Sequence, residues 1–291
     1  MQKKTYAGQP VVTLNNGVDI PALGFGVWQM DDLKECENAV IKAIQTGYRM
    51  IDTAAIYQNE TAVGAAVKNS GVNRDELFIT SKVWVQDHGY EKAKSAFQRT
   101  LDRLQMDYLD MYLIHWPYGD FLGTWKALEE LYQEGKIKAI GVCNFTVEKL
   151  EELNVHSTVL PVINQIELHP VFQQKELQVY DRENNIVTQP WSPLGNGNAD
   201  LLNNADLKSV AEKYGKTVAQ VILRWHLQEG FVVIPKSVTP SRIEENFNVF
   251  DFELTEDEMN VVRSLDTGNR LFFDPKDPEW EQKMLKSVAD I

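Results

Sequence analysis

Short apolar runs alternate with amphipathic stretches along most of the chain. The stretches repeat apolar residues every three or four positions, as at Leu33, Cys36 and Val40, which predicts helices with one buried face. The apolar runs have the length of buried strands, and there are eight of them: residues 22–27, 48–53, 77–83, 109–116, 137–143, 161–167, 185–191 and 231–236. A regular alternation of strands with helices predicts an α/β protein with a parallel sheet.

The eight repeats follow one another without a linker rich in proline, glycine or serine. This favours one domain over residues 1–291, built as a (β/α)8 TIM barrel, and leaves an open doubly wound sheet as the structural alternative. The Asn-Gly dipeptide at residues 16–17 predicts an N-terminal β-hairpin cap. Thr255 and Glu258 form a capping-box pattern that predicts a C-terminal extra helix. The tail of residues 269–280, rich in proline and aromatic residues, is expected to fold over one barrel end.

Composition and charge limit the partners. The 291 residues are 43% hydrophobic and carry a net charge of -13, which disfavours nucleic acid and anionic membranes, so any anion must be bound by local basic residues. Cys36 and Cys143 are the only cysteines and form no C-x-x-C pair, which predicts neither a disulfide framework nor a metal site. Because we find no signal peptide and no apolar run of ~20 residues, we expect a cytoplasmic protein. The sequence shows no sustained heptad seam.

Three ionisable residues end apolar runs on consecutive predicted strands. Asp52, Lys82 and His115 follow one another at intervals of about one βαβ unit. The carboxyl ends of barrel strands form one rim, where active sites of this fold are built, so these side chains are expected to converge. Tyr57 follows in the loop after the second predicted strand and can reach the same rim. The sequence therefore predicts a catalytic group of four side chains.

Each of these residues also has an ordinary structural interpretation, such as a helix cap, a packed ring or a satisfied core histidine. Ionisable groups are seldom buried without partners, however, so four of them near one rim favour a shared site. Three tryptophans stand at or just past the ends of runs that feed the same rim, which predicts aromatic walls for a substrate pocket. They are Trp28, Trp84 and Trp116.

The last predicted strand leads into a candidate anion site. Lys236, Ser237 and Arg242 offer two cations and a hydroxyl, while Thr239 and Pro240 are typical of a helix N-cap and first helical position. Helix N-termini attract anions, and barrels often bind phosphate in the loops after strands seven and eight. An ordinary exposed helix cap is the alternative. The sequence contains neither the glycine motif of Rossmann folds nor that of P-loops, which disfavours both nucleotide-binding classes.

The chain resembles the aldo-keto reductase superfamily nearly end to end, from GFGVW to IPKSVTPSRIEEN. The segments DTAAIYQNE, ITSKVW and LIHWP are similar to the catalytic motifs of that family in order and spacing. The resemblance implies hydride transfer from NADPH to an aldehyde or ketone. It implies Tyr57 as the general acid and Asp52 and Lys82 as the pair that tunes it. It implies His115 as the residue that orients the carbonyl and can share in proton transfer.

Physical chemistry gives these implied roles a reason. A tyrosine of pKa ~10 is a poor proton donor near pH 7 unless a cation stabilises the phenolate. Lys82 is expected to supply that cation and so make Tyr57 acidic enough. Because a buried lysine tends to lose its proton, Asp52 is expected to keep Lys82 charged.

The resemblance also implies how the chain would contact the nicotinamide half of NADPH. Asn144 and Gln165 would hydrogen-bond the carboxamide, and Trp191 would stack on the ring. Ser192 and Leu194 would line the pyrophosphate. The family often carries serine at the position before the asparagine, and here that position is a cysteine.

The candidate anion site would take the other end of the cofactor. The resemblance implies the 2'-phosphate as its anion, and therefore a preference for NADP over NAD. Residues at the adenine end would complete the site. The positions implied in this half are Lys236, Ser237, Val238, Arg242, Glu245 and Asn246.

The short chain and compact loops resemble the prokaryotic group that reduces 2,5-diketo-D-gluconate, methylglyoxal, glyoxal and other small aldehydes. This resemblance implies a monomer. Two alternatives stay open. Some relatives are non-catalytic NADPH-binding subunits on the same barrel. The residues alone also permit an unrelated aldolase or isomerase in which Lys82 forms a Schiff base. All four proposed catalytic positions are filled here, which favours the reductase.

Overall fold

In the computed structural model, the described residues are Tyr6, 8–286 and Ile291. They contain a short antiparallel hairpin and a seven-stranded parallel sheet in which each strand pairs with its neighbour in sequence. The hairpin strands are β1 Val11–Thr13 and β2 Asp19–Pro21. The strands of the parallel sheet are β3 Phe25–Gly26, β4 Met50–Asp52, β5 Phe78–Val83, β6 Leu109–Ile114, β7 Ile137–Cys143, β8 Ile163–Glu167 and β9 Val187–Trp191.

Helices connect the parallel strands in the predicted alternation. Up to β9 one α-helix lies between each successive pair of strands, and several more follow β9. The helices are α1 Leu33–Thr46, α2 Glu60–Asn69, α3 Tyr90–Leu104, α4 Phe121–Gln133, α5 Val147–His156, α6 Lys175–Glu183, α7 Ala199–Leu202, α8 Ala205–Tyr214, α9 Val218–Gln228, α10 Pro240–Phe247, α11 Glu256–Arg263 and α12 Pro278–Lys286. The α/β class with a (β/α)8 arrangement is confirmed.

The eighth run of the sequence, residues 231–236, closes the barrel without forming a regular strand. Val233 makes a parallel bridge with Leu23, and its carbonyl accepts a hydrogen bond from Gly24 N at 2.7 Å. On the other side, Val232 N donates to the carbonyl of Thr188 in β9 at 3.3 Å. The predicted strand is thus reduced to a short extended segment. Pro235 has no N–H to continue the ladder, which accounts for the early end.

The first run, residues 22–27, is regular only at Phe25–Gly26. Gly26 lies so close to the closing segment that a Cβ there would approach the Ile234 carbonyl oxygen at 3.1 Å. The short strand β3 and the closing segment therefore approach each other backbone to backbone. Glycine at position 26 permits this approach because it has no side chain.

The hairpin closes the bottom of the barrel, as predicted. Its turn contains Gly17 at φ +83°, a left-handed conformation that glycine adopts without strain. Leu14 and Ile20 pack from the hairpin into the cluster inside the barrel, against Phe78 and Met111. The inner core is therefore sealed at this end, and the carboxyl ends of the strands are left as the open end.

The C-terminal extra helix also begins as predicted. Thr255 accepts a hydrogen bond from Glu258 N, and the Glu258 side chain accepts one from Thr255 N, so the capping box is complete. Cys36 and Cys143 are buried and unpaired in the described chain. None of the helices described above combines the length and apolar character needed to cross a membrane.

A buried carboxyl group behind β9 makes the stability of the fold depend on pH. Asp181 of α6 is fully buried, and one of its oxygens accepts a hydrogen bond from Thr188 Oγ1 at 3.0 Å. Burial raises the pKa of Asp181 from 3.8 to about 7, with the Thr188 hydrogen bond opposing the rise. The folded protein therefore holds this proton more tightly than the unfolded chain does. Stability from this group is full below pH 3.8 and is lost as the pH rises toward 7.

We expect Asp181→Asn to remove this dependence, because the amide stays neutral and can still accept from Thr188. At pH 8 the variant should be more stable than the wild type by up to about 4 kcal/mol, and at pH 5 by less than about 2 kcal/mol, because the unfolded wild type already loses this proton above pH 3.8. Urea unfolding at both pH values measures the change, with the exposed Asp102→Asn as the control. A variant less stable than the wild type at pH 8 would show that Asp181 is buried as a satisfied anion.

Candidate active site

A cavity of about 1080 Å³ opens at the carboxyl ends of the strands. It lies at the rim where the sequence placed the site. Its lining includes three of the four predicted catalytic side chains, all three predicted tryptophans and all eleven positions that the resemblance implied for the cofactor. Those lining residues are Asp52, Tyr57, His115, Trp28, Trp84, Trp116, Asn144, Gln165, Trp191, Ser192, Leu194, Lys236, Ser237, Val238, Arg242, Glu245 and Asn246.

Lys82 lies directly behind the cavity wall. It is the next-to-last residue of β5 and is completely buried, while Asp52 ends the neighbouring strand β4. Lys82 Nζ donates to Asp52 Oδ1 at 2.6 Å, to the Thr53 carbonyl at 2.8 Å and to the Tyr57 hydroxyl at 3.4 Å. The three donor positions of the ammonium are thus matched by three acceptors. This arrangement links the carboxylate, the amine and the phenol in one hydrogen-bonded chain.

The charges of this chain follow from burial and from the short ion pair. Burial by itself lowers the pKa of Lys82, but Asp52 and the other nearby acidic groups outweigh it and raise that pKa above its ordinary value. Lys82 therefore stays charged, as expected from the sequence. Burial raises the pKa of Tyr57 to about 12, although Lys82 opposes the rise. The expectation that Lys82 makes Tyr57 more acidic than a free tyrosine is not met, because burial has the larger effect.

His115 follows β6 immediately and lies on the other side of Tyr57. The two rings meet edge to face with centroids 5.7 Å apart, and the Trp84 ring contacts His115 at 5.0 Å. Burial, followed by the charge of Lys82, lowers the pKa of His115 well below its ordinary value. The imidazole is therefore neutral near pH 7, and one of its nitrogens carries a proton.

Asn144 and Gln165 connect the catalytic group to the rest of the cavity. Asn144 adopts the left-handed conformation at φ +61°, donates to the His115 carbonyl at 3.0 Å and accepts from Trp191 Nε1 at 2.9 Å. Gln165 donates to Asp52 Oδ2 at 2.9 Å and to Gln189 Oε1 at 2.8 Å. Sequence reasoning missed Gln189, which the period of β9 would have placed on the same face as Trp191.

The predicted anion site forms the far end of the cavity. Lys236 and Arg242 are exposed and form no ion pair with any carboxylate in the described chain. The helix α10 begins at Pro240 as predicted, but the Thr239 side chain makes no capping hydrogen bond within the described residues. Ser237 Oγ instead accepts from Thr239 N at 3.1 Å. The expected cap is therefore wrong in detail, and the N–H groups of the first turn are left available to a ligand.

At the adenine end that the resemblance implies, Glu245 has a partner from another helix. Thr217, the N-cap of α9, donates from its hydroxyl to Glu245 Oε1 at 2.8 Å and itself lines the cavity. Gln220 donates to the Glu245 carbonyl at 3.1 Å. Thr217 was not singled out from the sequence, where its helix-cap signal gave no indication of a site.

The C-terminal tail covers part of the cavity, as predicted. Phe273, Trp280 and Met284 contribute to the lining. The rings of Phe273 and Trp280 stack with centroids 3.7 Å apart and an angle of 4°, and Trp280 meets Trp116 edge to face at 6.0 Å. The aromatic wall is thus larger than the three tryptophans that the strand ends predicted. Within the described residues, no cluster of three or more histidine, cysteine or acidic side chains could hold a metal ion.

Comparison with known proteins identifies the class. Residues 22–267 match the Aldo/keto reductase family, and the chain belongs to that family. Glyoxal reductase of Bacillus subtilis (strain 168) is 52% identical to it over 89% of this chain and 94% of the relative. Methylglyoxal reductase DkgA of Escherichia coli (strain K12) is 49% identical over 92% and 98%. The crystal structure of Bombyx mori aldo-keto reductase (AKR2E4) in complex with NADP superposes with a TM-score of 0.86 at 34% identity, over 91% of this chain and 95% of that one.

The protein is therefore an aldo-keto reductase with reductases among its close relatives.

Proposed function

We propose that the protein reduces small aldehydes and ketones to alcohols with NADPH, and that Tyr57 is the general acid. The observation that carries the proposal is the chain from Asp52 through the buried Lys82 to the Tyr57 hydroxyl at the wall of the cavity. The glyoxal and methylglyoxal reductases among the relatives support this reaction class. Methylglyoxal, glyoxal, 2,5-diketo-D-gluconate and aromatic aldehydes are the candidate substrates.

The residues of the cavity fit NADPH. Its far end offers the cations Lys236 and Arg242, which form no ion pair within the described part of the chain, and the first turn of α10, where the described residues supply no side-chain cap. Together they suit a phosphate in an otherwise acidic protein. Asn144 and Gln165 would hold the carboxamide, and Trp191 would cover the ring. When bound, NADPH supplies the hydride.

Tyr57 acts as the proton donor in this proposal. With a pKa of about 12 it is protonated near neutral pH, which an acid requires. When the substrate oxygen gains negative charge, Tyr57 gives up its proton and the Lys82 ammonium stabilises the resulting phenolate. Asp52 keeps Lys82 charged throughout. The role of Lys82 is thus to offset the effect of burial on the phenol.

His115 would orient the substrate. A neutral imidazole beside Tyr57 can donate one hydrogen bond to the carbonyl oxygen without competing as the acid. Trp28, Trp84 and Trp116 would enclose the remainder of the substrate.

Two alternatives are weaker. Family membership removes the unrelated aldolase or isomerase, and a fully buried, charged Lys82 is a poor Schiff-base nucleophile. A non-catalytic NADPH-binding subunit would have no use for a complete catalytic group.

The test is a panel of carbonyls, including methylglyoxal, glyoxal, 2,5-diketo-D-gluconate and 4-nitrobenzaldehyde, assayed with NADPH and with NADH by cofactor absorbance. We expect oxidation of NADPH with at least one small carbonyl. Cofactor binding without any turnover would favour the non-catalytic subunit. A failure to bind either cofactor would reject the proposed function altogether.

Arg242 should decide the choice between cofactors. We expect Arg242→Ala to weaken NADPH binding by about 1.5 to 3 kcal/mol while NADH binding changes little, because a charge-assisted contact to the 2'-phosphate is lost. Fluorescence titration with both cofactors measures the effect, and Lys68→Ala on α2 controls for the change in net charge. Equal weakening of both cofactors would place the 2'-phosphate elsewhere.

A further inference from the structure

Glu167 is a buried carboxylate outside the catalytic group. It ends β8, two residues after Gln165, and its side chain has no exposed surface. A buried carboxylate is costly unless several donors satisfy it. One partner of the carboxylate is local: His169 Nε2 lies 3.2 Å from Glu167 Oε1.

The other donors come from the C-terminal tail. Leu271 N donates to Glu167 Oε1 at 2.7 Å, and Arg270 Nη1 donates to Oε2 at 3.3 Å. Arg270 is further held by the Phe172 ring, with its guanidinium carbon 4.5 Å from the ring centroid. We call these contacts of Glu167 with Arg270 and Leu271 the tail anchor. The tail anchor thus connects the backbone N–H of Leu271 and the guanidinium of Arg270 to the buried carboxylate of Glu167.

Next to the tail anchor, Phe273 lines the cavity and Phe272 contacts two residues that line it. The Phe272 ring lies edge to face with two predicted cavity residues. Its centroid is 6.0 Å from that of Trp28 and 5.1 Å from that of Trp191. Phe273 carries the stack with Trp280. The tail anchor therefore fixes the point from which this aromatic wall extends over the cavity.

Three other polar contacts of the tail do not involve a buried charge. Arg270 Nη2 donates to Gln174 Oε1 at 3.3 Å. Lys276 pairs with Glu148, and both side chains are more than half exposed. The Tyr118 hydroxyl donates to the Pro275 carbonyl at 3.2 Å. Exposed ion pairs contribute little to stability, whereas buried charged hydrogen bonds contribute more. Glu167 is thus the strongest polar attachment among these.

We infer that Glu167 is a positioning residue that holds residues 270–273 over the cavity and thereby sets which carbonyl substrates fit. The second half of this inference rests on the proposed reductase function. Substrates large enough to reach Phe273 and Trp280 depend on the position of the wall, while a compound as small as methylglyoxal does not.

The test combines Glu167→Gln and Arg270→Gln with the double variant and with Lys276→Gln as the matched control. Glu167→Gln keeps an oxygen for Leu271 N and removes the charge, and Arg270→Gln changes a side chain that is 21% exposed, so the fold should survive. Hydrogen–deuterium exchange of the protein without ligands is the first measurement. We expect at least about tenfold faster exchange in residues 268–286 of both single variants, unchanged exchange in β5 and β6, and no further increase in the double variant.

The second measurement is steady-state kinetics. We expect KM for 4-nitrobenzaldehyde to rise about tenfold in both single variants, while kcat and the KM for methylglyoxal stay within about twofold and Lys276→Gln behaves as the wild type. Unchanged exchange in the tail overturns the inference, and so does faster exchange spread evenly over the whole chain. Equal changes in KM for both substrates overturn the substrate-fitting role.

The two proposals fail separately. If the wild type reduces no carbonyl, the proposed function is rejected, and the exchange measurement still decides whether Glu167 holds the tail.

Discussion

Replacing Tyr57 with phenylalanine is expected to lower kcat for carbonyl reduction by about 10²- to 10⁴-fold, the range in which a positioned general acid contributes. The substitution removes one oxygen and leaves the ring against His115 in place. Lys82 loses its weakest contact, at 3.4 Å, and keeps Asp52 and the Thr53 carbonyl. The cavity should therefore persist, and NADPH affinity should change by less than about twofold.

Steady-state NADPH oxidation and fluorescence titration of the cofactor measure the two quantities. Tyr132→Phe in α4 is the matched control, because it removes a phenol oxygen from a partly buried ring far from the cavity. Wild-type turnover in Tyr57→Phe would rule out the general-acid role. A parallel loss of NADPH affinity would indicate a damaged cavity.

The second large effect is expected at Lys82. Lys82→Met leaves Asp52 buried with one oxygen unpaired, and such a broken pair costs about 3 to 5 kcal/mol of folding stability. Turnover should fall by at least about 10²-fold, because the phenolate of Tyr57 loses its cation. The double variant Asp52→Asn/Lys82→Met should recover part of the stability and none of the activity.

Urea unfolding and NADPH oxidation test this expectation. Lys208→Met on α8 is the control for replacing an exposed lysine. A double variant less stable than Lys82→Met would show that other groups satisfy the charge of Asp52. The ion pair would then contribute less to folding stability than expected.

The sequence predicted the fold and the location of the site because both depend on local periodicity. Asp52, Lys82 and His115 lie at the carboxyl ends of neighbouring strands, so their convergence follows once the strands are parallel and adjacent. The anion site at Lys236 could be predicted for the same reason, because the loop that follows the closing segment must lie at the same rim. The roles of these residues came only from the family resemblance.

Other features depend on distances that no local pattern encodes. Glu167 meets Arg270 across 103 residues, and neither position belongs to a periodic run that would pair them. The pKa of Tyr57 depends on how completely water is excluded, and the spacing of polar residues does not report that. Thr239 has the right residue type for a cap, but the local backbone directs Ser237 to its N–H instead.

Asp52 divides its two oxygens between two partners, Lys82 and Gln165. A change at Gln165 that is meant to alter how the nicotinamide is held would also leave an oxygen of Asp52 without its donor. Asp52 would then interact more strongly with Lys82. As a result, the positive charge of Lys82 would stabilise the Tyr57 phenolate less. Redesign of the nicotinamide contact at Gln165 is therefore expected to shift the pH profile of proton transfer, so nicotinamide binding and proton transfer cannot be optimised independently.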